Sequence, residues 1–104
     1  MKALVRYGSR KGEMEIRDII APFPSDTQAL IRVKAVGVCG TDVHMYHGEI
    51  ETPTPITIGH EFCGIVETVG SKVTKVKEND RVVSRLNVEV CGHCIPCLKG
   101  NPQM

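Results

Sequence analysis

The chain has 104 residues, of which 41% are hydrophobic and 24% are charged, and its net charge is +1. This is the composition of one folded globular domain, and it excludes a disordered chain. Basic residues alternate with acidic ones, so no continuous basic surface is available to nucleic acid. No hydrophobic run approaches the roughly 20 residues that span a bilayer, and the first residues lack the pattern of a secretory signal. We therefore expect a cytoplasmic protein with neither a nucleic-acid nor a membrane partner.

The first third of the chain predicts β-structure. Residues 1–7 are typical of a short strand, residues 8–12 of a turn and residues 13–19 of the second strand of a hairpin. Residues 21–26 contain two prolines and an aspartate and predict a loop. Residues 27–38 alternate hydrophobic and polar side chains over most of their length, which is the strongest strand signal in the sequence.

The middle of the chain predicts one helical turn and further strands. Capping residues at 40–42 precede a helical turn at 43–48. Residues 49–59 contain two prolines, which cannot serve a central strand, so this segment is expected to be an extended surface loop. Strands are predicted at 62–69 and 81–86. The expected fold class is therefore mainly β.

The end of the chain carries a cysteine cluster. Three of the five cysteines, Cys91, Cys94 and Cys97, form a C-x-x-C-x-x-C pattern whose tight turns suit one metal ion. A redox-active cysteine pair requires a helix N-terminus after a strand, which the sequence does not offer here. An iron–sulfur cluster stays an alternative, although it also requires a fourth thiolate. We interpret residues 91–104 as a lobe held by a structural metal ion, since no hydrophobic periodicity is present.

A second set of metal ligands is spread along the chain. Cys39 and His60 are two of the residue types that bind catalytic zinc, and each has a glycine beside it. Spacing alone favours a simpler interpretation, in which Cys39 is a small buried residue and His60 a hydrogen-bonded loop residue.

The sequence around Cys39 and His60 favours the metal-binding interpretation instead. The strings CGTDVHMYHG at 39–48 and GHEFCGIVETVGSKV at 59–73 resemble the two signatures of the medium-chain, zinc-containing alcohol dehydrogenase family, in their order and separation. The string NDRVV at 79–83 resembles a third, with Asn79 where the family usually has glycine. Asparagine is the residue that best replaces glycine in a left-handed turn, so the departure is mild. The resemblance covers essentially the whole chain and is nearest to the sorbitol and threonine dehydrogenase branch.

This resemblance implies a GroES-like fold, which is a partly open β-barrel with short helices, over residues 1–104. It implies that Cys39 and His60 bind a catalytic zinc ion. Glu61 matches a carboxylate that faces this metal and exchanges with water on it. The third permanent ligand of the family, a cysteine or glutamate, belongs to a position after Met104.

The resemblance also implies a path for the proton of an alcohol substrate. Thr41 matches the hydroxyl that takes this proton, and His44 matches the histidine that passes it to solvent through the cofactor ribose. Asp42 matches a residue that orients the zinc ligands, and an ordinary role as a first-turn helix acid is equally compatible with its position. His47 and Cys63 match no functional position, and we expect Cys63 to be packed in the core.

In the family, a fourth cysteine follows Cys97 at the position immediately after Met104, so the structural zinc lobe is expected to be truncated. No G-x-G-x-x-G fingerprint is present, so NAD or NADP is expected to bind mainly outside these residues, and the chain alone is expected to be inactive. The implied parent is a homo-oligomeric enzyme that oxidises a small alcohol or polyol. The alternative is a non-enzymatic zinc-binding or co-chaperonin-like module.

Overall fold

The computed structural model describes residues 1–85, 93 and 95–99. The chain forms six strands and two short helices within these residues. In chain order they are β1 (Lys2–Arg6), β2 (Met14–Asp18), β3 (Ala29–Gly37), α1 (Gly40–Tyr46), β4 (Ile56–Thr57), β5 (Glu61–Val69), β6 (Arg81–Val83) and α2 (Ile95–Leu98). The prediction of a mainly β fold with short helices is confirmed.

The first sheet has the strand order β2-β1-β4 and is antiparallel. The predicted hairpin is present, with Leu4 opposite Ile16, and its turn contains Gly12 at a φ of +80°. Strand β4 lies within the segment that we predicted to be an extended loop, so that prediction is wrong at Ile56 and Thr57. The physical reason is that β4 is an edge strand, where nearby prolines need not interrupt a ladder.

The second sheet has the strand order β3-β5-β6, and both pairs are antiparallel. The long pair β3–β5 contains two irregularities, one between Leu30 and Ile31 and one between Val33 and Ala35. After the second irregularity, Gly37 lies opposite Glu61 at the end of the pair. This end of the sheet is where the chain continues into α1.

Two predicted boundaries differ from the structure. Helix α1 begins at Gly40, earlier than the predicted turn at 43–48, because Cys39 itself precedes the helix and the expected capping residues lie inside it. Strand β6 ends at Val83, whereas the prediction extended it to residue 86. The hydroxyl of Ser84 instead forms hydrogen bonds with the backbone of Phe62 in β5 and of His60, which directly precedes β5.

The hydrophobic interior of the described residues is small. Three hydrophobic residues are buried, Ala3, Val5 and Val66, and they are 8%, 5% and 1% exposed. A cavity of about 560 Å³ lies between the two sheets, with Leu4 on one sheet, Val36 on the other and α1 also lining it. Between the strands of residues 1–85, the two sheets do not close into a complete barrel, as expected for a partly open one. Among the described helices, none has the length and hydrophobicity to cross a membrane.

Candidate metal centre

Cys39 occupies the junction between β3 and α1. Its backbone is extended, with φ −87° and ψ 159°, and it is the N-cap residue of the helix. Asp42, in the first turn, accepts a hydrogen bond on Oδ2 from the backbone N–H of Cys39 at 2.9 Å. The arrangement satisfies a donor that the start of a helix would otherwise leave unpaired, and it holds Cys39 in a fixed orientation.

The position of His60 is set by the residue before it, Gly59, and by a hydrogen bond to its carbonyl from Ser84. Gly59 before it has a φ of +112°, a conformation that side-chain-bearing residues rarely adopt, and a Cβ there would lie 3.3 Å from Val36 Cγ2. The hydroxyl of Ser84 donates to the carbonyl of His60 at 2.6 Å and accepts from the N–H of Phe62 at 3.0 Å. The end of β6 therefore fixes the backbone on which His60 and Glu61 stand.

The two segments bring three metal-binding side chains together. Cys39 Sγ, a ring nitrogen of His60 and a carboxylate oxygen of Glu61 all lie within 4.8 Å of one another. Cys39 and His60 are half-buried, and Glu61 is exposed. Cys39 is more than 20 positions from His60 and Glu61 in sequence, and the pairing of β3 with β5 places all three at one end of the sheet.

The donor set fits zinc. Sulfur, imidazole nitrogen and carboxylate oxygen are its usual protein ligands, and two ligands of a tetrahedral zinc ion lie roughly 3.5 Å apart, so only a small contraction of this cluster is needed. Asp42 Oδ1 is buried, has no hydrogen-bond partner and lies 3.6 Å from His60 Nδ1. A carboxylate that faces one nitrogen of a ligating histidine is a common arrangement, because it orients the other nitrogen toward the metal.

Thr41 and His44 lie on α1 next to this cluster. The hydroxyl oxygen of Thr41 is 3.8 Å from Cys39 Sγ. His44 follows three residues later, on the same face of the helix, and its side chain is 60% exposed. Thr41 is therefore adjacent to a candidate metal ligand, while His44 is in contact with solvent.

Two further residues of this region carry no signal in the sequence. Glu49 accepts a hydrogen bond from His44 Nδ1, and Ser84 holds the backbone at His60. Neither residue has a motif of its own, and both contacts depend on how loops return to the site. The expectation that Cys63 is packed in the core is wrong: it is partly exposed and lines a groove of about 580 Å³ together with His60 and Glu61.

The second predicted metal site falls mostly outside the described residues. Cys91 and Cys94 are not described, and Cys97 lies in α2, with its side chain likewise outside the description. The assignment of these three cysteines to a structural zinc ion therefore stays a prediction.

Comparison with known proteins identifies the family to which the chain belongs. Residues 25–104 match the family model described as the alcohol dehydrogenase GroES-like domain. The sorbitol dehydrogenase of Halalkalibacterium halodurans is 39% identical over 97% of this chain and 29% of its own length. The L-threonine 3-dehydrogenase of Bacillus subtilis is 40% identical over 96% of this chain and 29% of its own length. The chain thus spans less than a third of the relatives that it matches.

Solved structures give the same result. An alcohol dehydrogenase of Pyrobaculum aerophilum with bound cobalt and zinc superposes with a TM-score of 0.86 at 37% identity, over 100% of this chain and 31% of that one. An alcohol dehydrogenase of E. coli CFT073 complexed with NADH gives a TM-score of 0.82 at 35% identity, over 98% of this chain and 29% of that one. On the family match and on these likenesses, the chain belongs to the GroES-like domain family of the zinc-containing alcohol dehydrogenases.

Proposed function

We propose that this chain is the metal-binding catalytic unit of a zinc-dependent oxidoreductase that oxidises a secondary alcohol or polyol and transfers hydride to NAD or NADP. The observation that carries the proposal is the convergence of Cys39, His60 and Glu61 within 4.8 Å. The sorbitol and threonine dehydrogenases among its relatives support a polyol or hydroxy-bearing substrate. We assign the nicotinamide cofactor mainly to residues outside this chain, because the sequence contains no G-x-G-x-x-G fingerprint.

Cys39 and His60 would hold the zinc ion, with Glu61 as the exchangeable carboxylate. Zinc in this site supplies Lewis acidity, which lowers the pKa of a hydroxyl group that an alcohol could not otherwise ionise at neutral pH. Asp42 contributes by keeping a proton on His60 Nδ1, so that the other nitrogen is free to bind metal. Its buried, unpaired Oδ1 atom supports this role.

The chain's own residues also provide a proton path. Thr41 accepts the substrate proton on its hydroxyl oxygen and gives its own hydroxyl proton toward His44, which releases one to solvent. The position of Thr41 beside Cys39 Sγ, and the exposure of His44, support this order from metal to water. A purely structural zinc module would not require a hydroxyl and an imidazole on the same helix face beside the cluster.

Removal of Cys39 tests the proposal. The protein is expressed from its complete coding sequence as wild type, as Cys39→Ala and as the matched control Cys63→Ala, a second partly exposed cysteine. We expect Cys39→Ala to lose about one zinc ion per chain and at least about 100-fold in polyol-dependent NAD(P) reduction, while the control keeps both. Equal zinc content and activity in Cys39→Ala would contradict the proposed site. A folded wild type that binds zinc and oxidises none of a panel of alcohols and polyols would support the structural-module alternative.

A further inference from the structure

Glu49 is hydrogen-bonded to His44 but is not itself part of the proposed proton path. His44 Nδ1 and Glu49 Oε2 are hydrogen-bonded, although both side chains are more than half exposed. The hydrogen bond from His44 is the main cause that holds the pKa of the Glu49 carboxyl below its usual range, and the positive charges of His44 and His47 add to the effect. Glu49 therefore stays ionised in the presence of His44.

An ionised carboxylate can only accept hydrogen bonds. His44 must then carry a hydrogen on Nδ1 to make this contact. In a neutral imidazole only one nitrogen is protonated, so Nε2 keeps its lone pair. Nε2 is thus the atom that can take a proton from a neighbouring hydroxyl, and the contact with Glu49 selects this tautomer.

A backbone hydrogen bond holds Glu49 close to His44. Its backbone N–H donates to the carbonyl of His44 at 3.0 Å. On its other side, Arg6 Nη1 donates to the carbonyl of Ile50 at 2.8 Å and to the hydroxyl of Thr52 at 2.6 Å. Arg6 lies on β1 and is 1% exposed, so these bonds are shielded from water. The backbone of Glu49 is therefore held on both sides.

The buried guanidinium of Arg6 has no carboxylate partner among the described residues, and its Nε has no hydrogen bond. Burial of such a charge is costly, and it is compensated here by hydrogen bonds to the oxygens of Ile50 and Thr52 in the loop and to the carbonyl of Ser9. Close docking of the same loop is visible at Gly48, where φ is +77° and a Cβ would lie 2.9 Å from the carbonyl oxygen of Ser9. Strand β1 and its turn thus form the support on which Glu49 is presented.

We propose that Glu49 is a positioning residue for His44: it fixes the tautomer with Nδ1 protonated, and Arg6 fixes the loop that carries it. The functional meaning of this tautomer rests on the proposed role of His44 as a proton carrier. The tautomer itself does not, because it follows from the hydrogen bond alone.

The tautomer is measured by ¹⁵N nuclear magnetic resonance of histidine-labelled protein at alkaline pH, where imidazoles are neutral. His44 is identified by the loss of its signals in His44→Gln. We expect Nδ1 of His44 to be protonated in the wild type, and Glu49→Ala to move the proton largely to Nε2. The matched control is Glu51→Ala, which removes a neighbouring exposed acid and leaves the tautomer unchanged. A wild-type His44 protonated on Nε2, or an unchanged tautomer in Glu49→Ala, would overturn the proposal.

Activity is measured separately on the protein expressed from its complete coding sequence. We expect Glu49→Ala to lower kcat roughly tenfold, with zinc content and KM unchanged, because a misplaced proton removes part of what a general base contributes. Glu51→Ala keeps the wild-type kcat. A tautomer that shifts in a protein with no oxidoreductase activity would contradict the proposed function and leave the pairing intact. Full activity with a shifted tautomer would show that Glu49 does not position His44 for the reaction.

Discussion

Asp42→Asn isolates the contribution of one buried charge to the candidate metal centre. In the structure, Asp42 Oδ2 accepts the N–H of Cys39 at 2.9 Å, and Oδ1 lies 3.6 Å from His60 Nδ1. The side chain is 9% exposed, so water does not replace a lost interaction. Asparagine has the same shape, and the substitution therefore changes charge and hydrogen-bonding capacity with little change in packing.

The expected magnitude follows from the atoms of asparagine. Its single oxygen is needed to accept the N–H of Cys39, which turns the amide NH₂ toward His60. Nδ1 of His60 must then accept a hydrogen bond, so the proton moves to Nε2 and that nitrogen can no longer bind metal. Loss of such a supporting group typically weakens metal binding by about 10- to 100-fold. This corresponds to about 1.4–2.7 kcal/mol.

The assay is competition for zinc between the protein and a chromophoric chelator. The zinc bound at this site is the difference in bound zinc between the wild type and Cys39→Ala. This difference excludes zinc bound by the other cysteines. Asp18→Asn is the control, because it removes the same charge from a side chain that is 70% exposed. Asp42 also stabilises the first turn of α1, by about 0.3–1 kcal/mol. A lower Tm with unchanged zinc affinity would mean that Asp42 serves the helix alone, and the reasoning on His60 would be refuted.

Two further substitutions test the fold around the site. At Gly64, a Cβ would lie 2.4 Å from the backbone oxygen of Arg32, so Gly64→Ala is expected to cost about 3 kcal/mol in urea unfolding, whereas Gly40→Ala, with open space around it, should cost nothing. At Asn79, where φ is +70°, Asn79→Ala is expected to lower stability by about 1 kcal/mol and Asn79→Gly to change it by less than about 0.5 kcal/mol. Equal costs at the two glycines, or equal effects of the two changes at Asn79, would contradict these readings of the backbone.

The long strands were predictable from sequence because alternation of side chains is a local signal. Both strands of the hairpin, and the strands that became β3 and β5, appear within two residues of their predicted ends. The left-handed turn at Asn79 was also predictable, since few residue types other than glycine tolerate it. These features depend on one stretch of chain at a time.

The start of α1 was predicted too late because capping preferences were applied to the wrong position. Thr41 and Asp42 are favoured N-cap residues, yet Asp42 lies in the first turn and reaches back to the N–H of Cys39. A cysteine before a helix has no strong capping signal. The prediction placed the N-cap at residues 40–42, whereas Cys39 is the N-cap and Asp42 accepts its N–H.

Features that depend on distant packing were not predictable. Cys63 was expected in the core because cysteine is usually buried. Within the described residues, however, few side chains are buried and its face of β5 borders an open groove. The contact between His44 and Glu49 requires the chain to reverse at Gly48 and to dock on β1 through Arg6, and no local pattern specifies such a reversal.

The candidate metal centre depends on the register of the β3–β5 pair. One irregularity makes Glu67 an extra residue in β5, and the other makes Lys34 an extra residue in β3. The two irregularities compensate each other, so Gly37 lies opposite Glu61 in the same register that the pair has at its other end. With only one of them, Glu61 would lie opposite residue 36 or 38, and its side chain would project to the other face relative to β3. The sequence motifs identify the ligands, and this register is what brings Glu61 to the end of β3 that leads into Cys39.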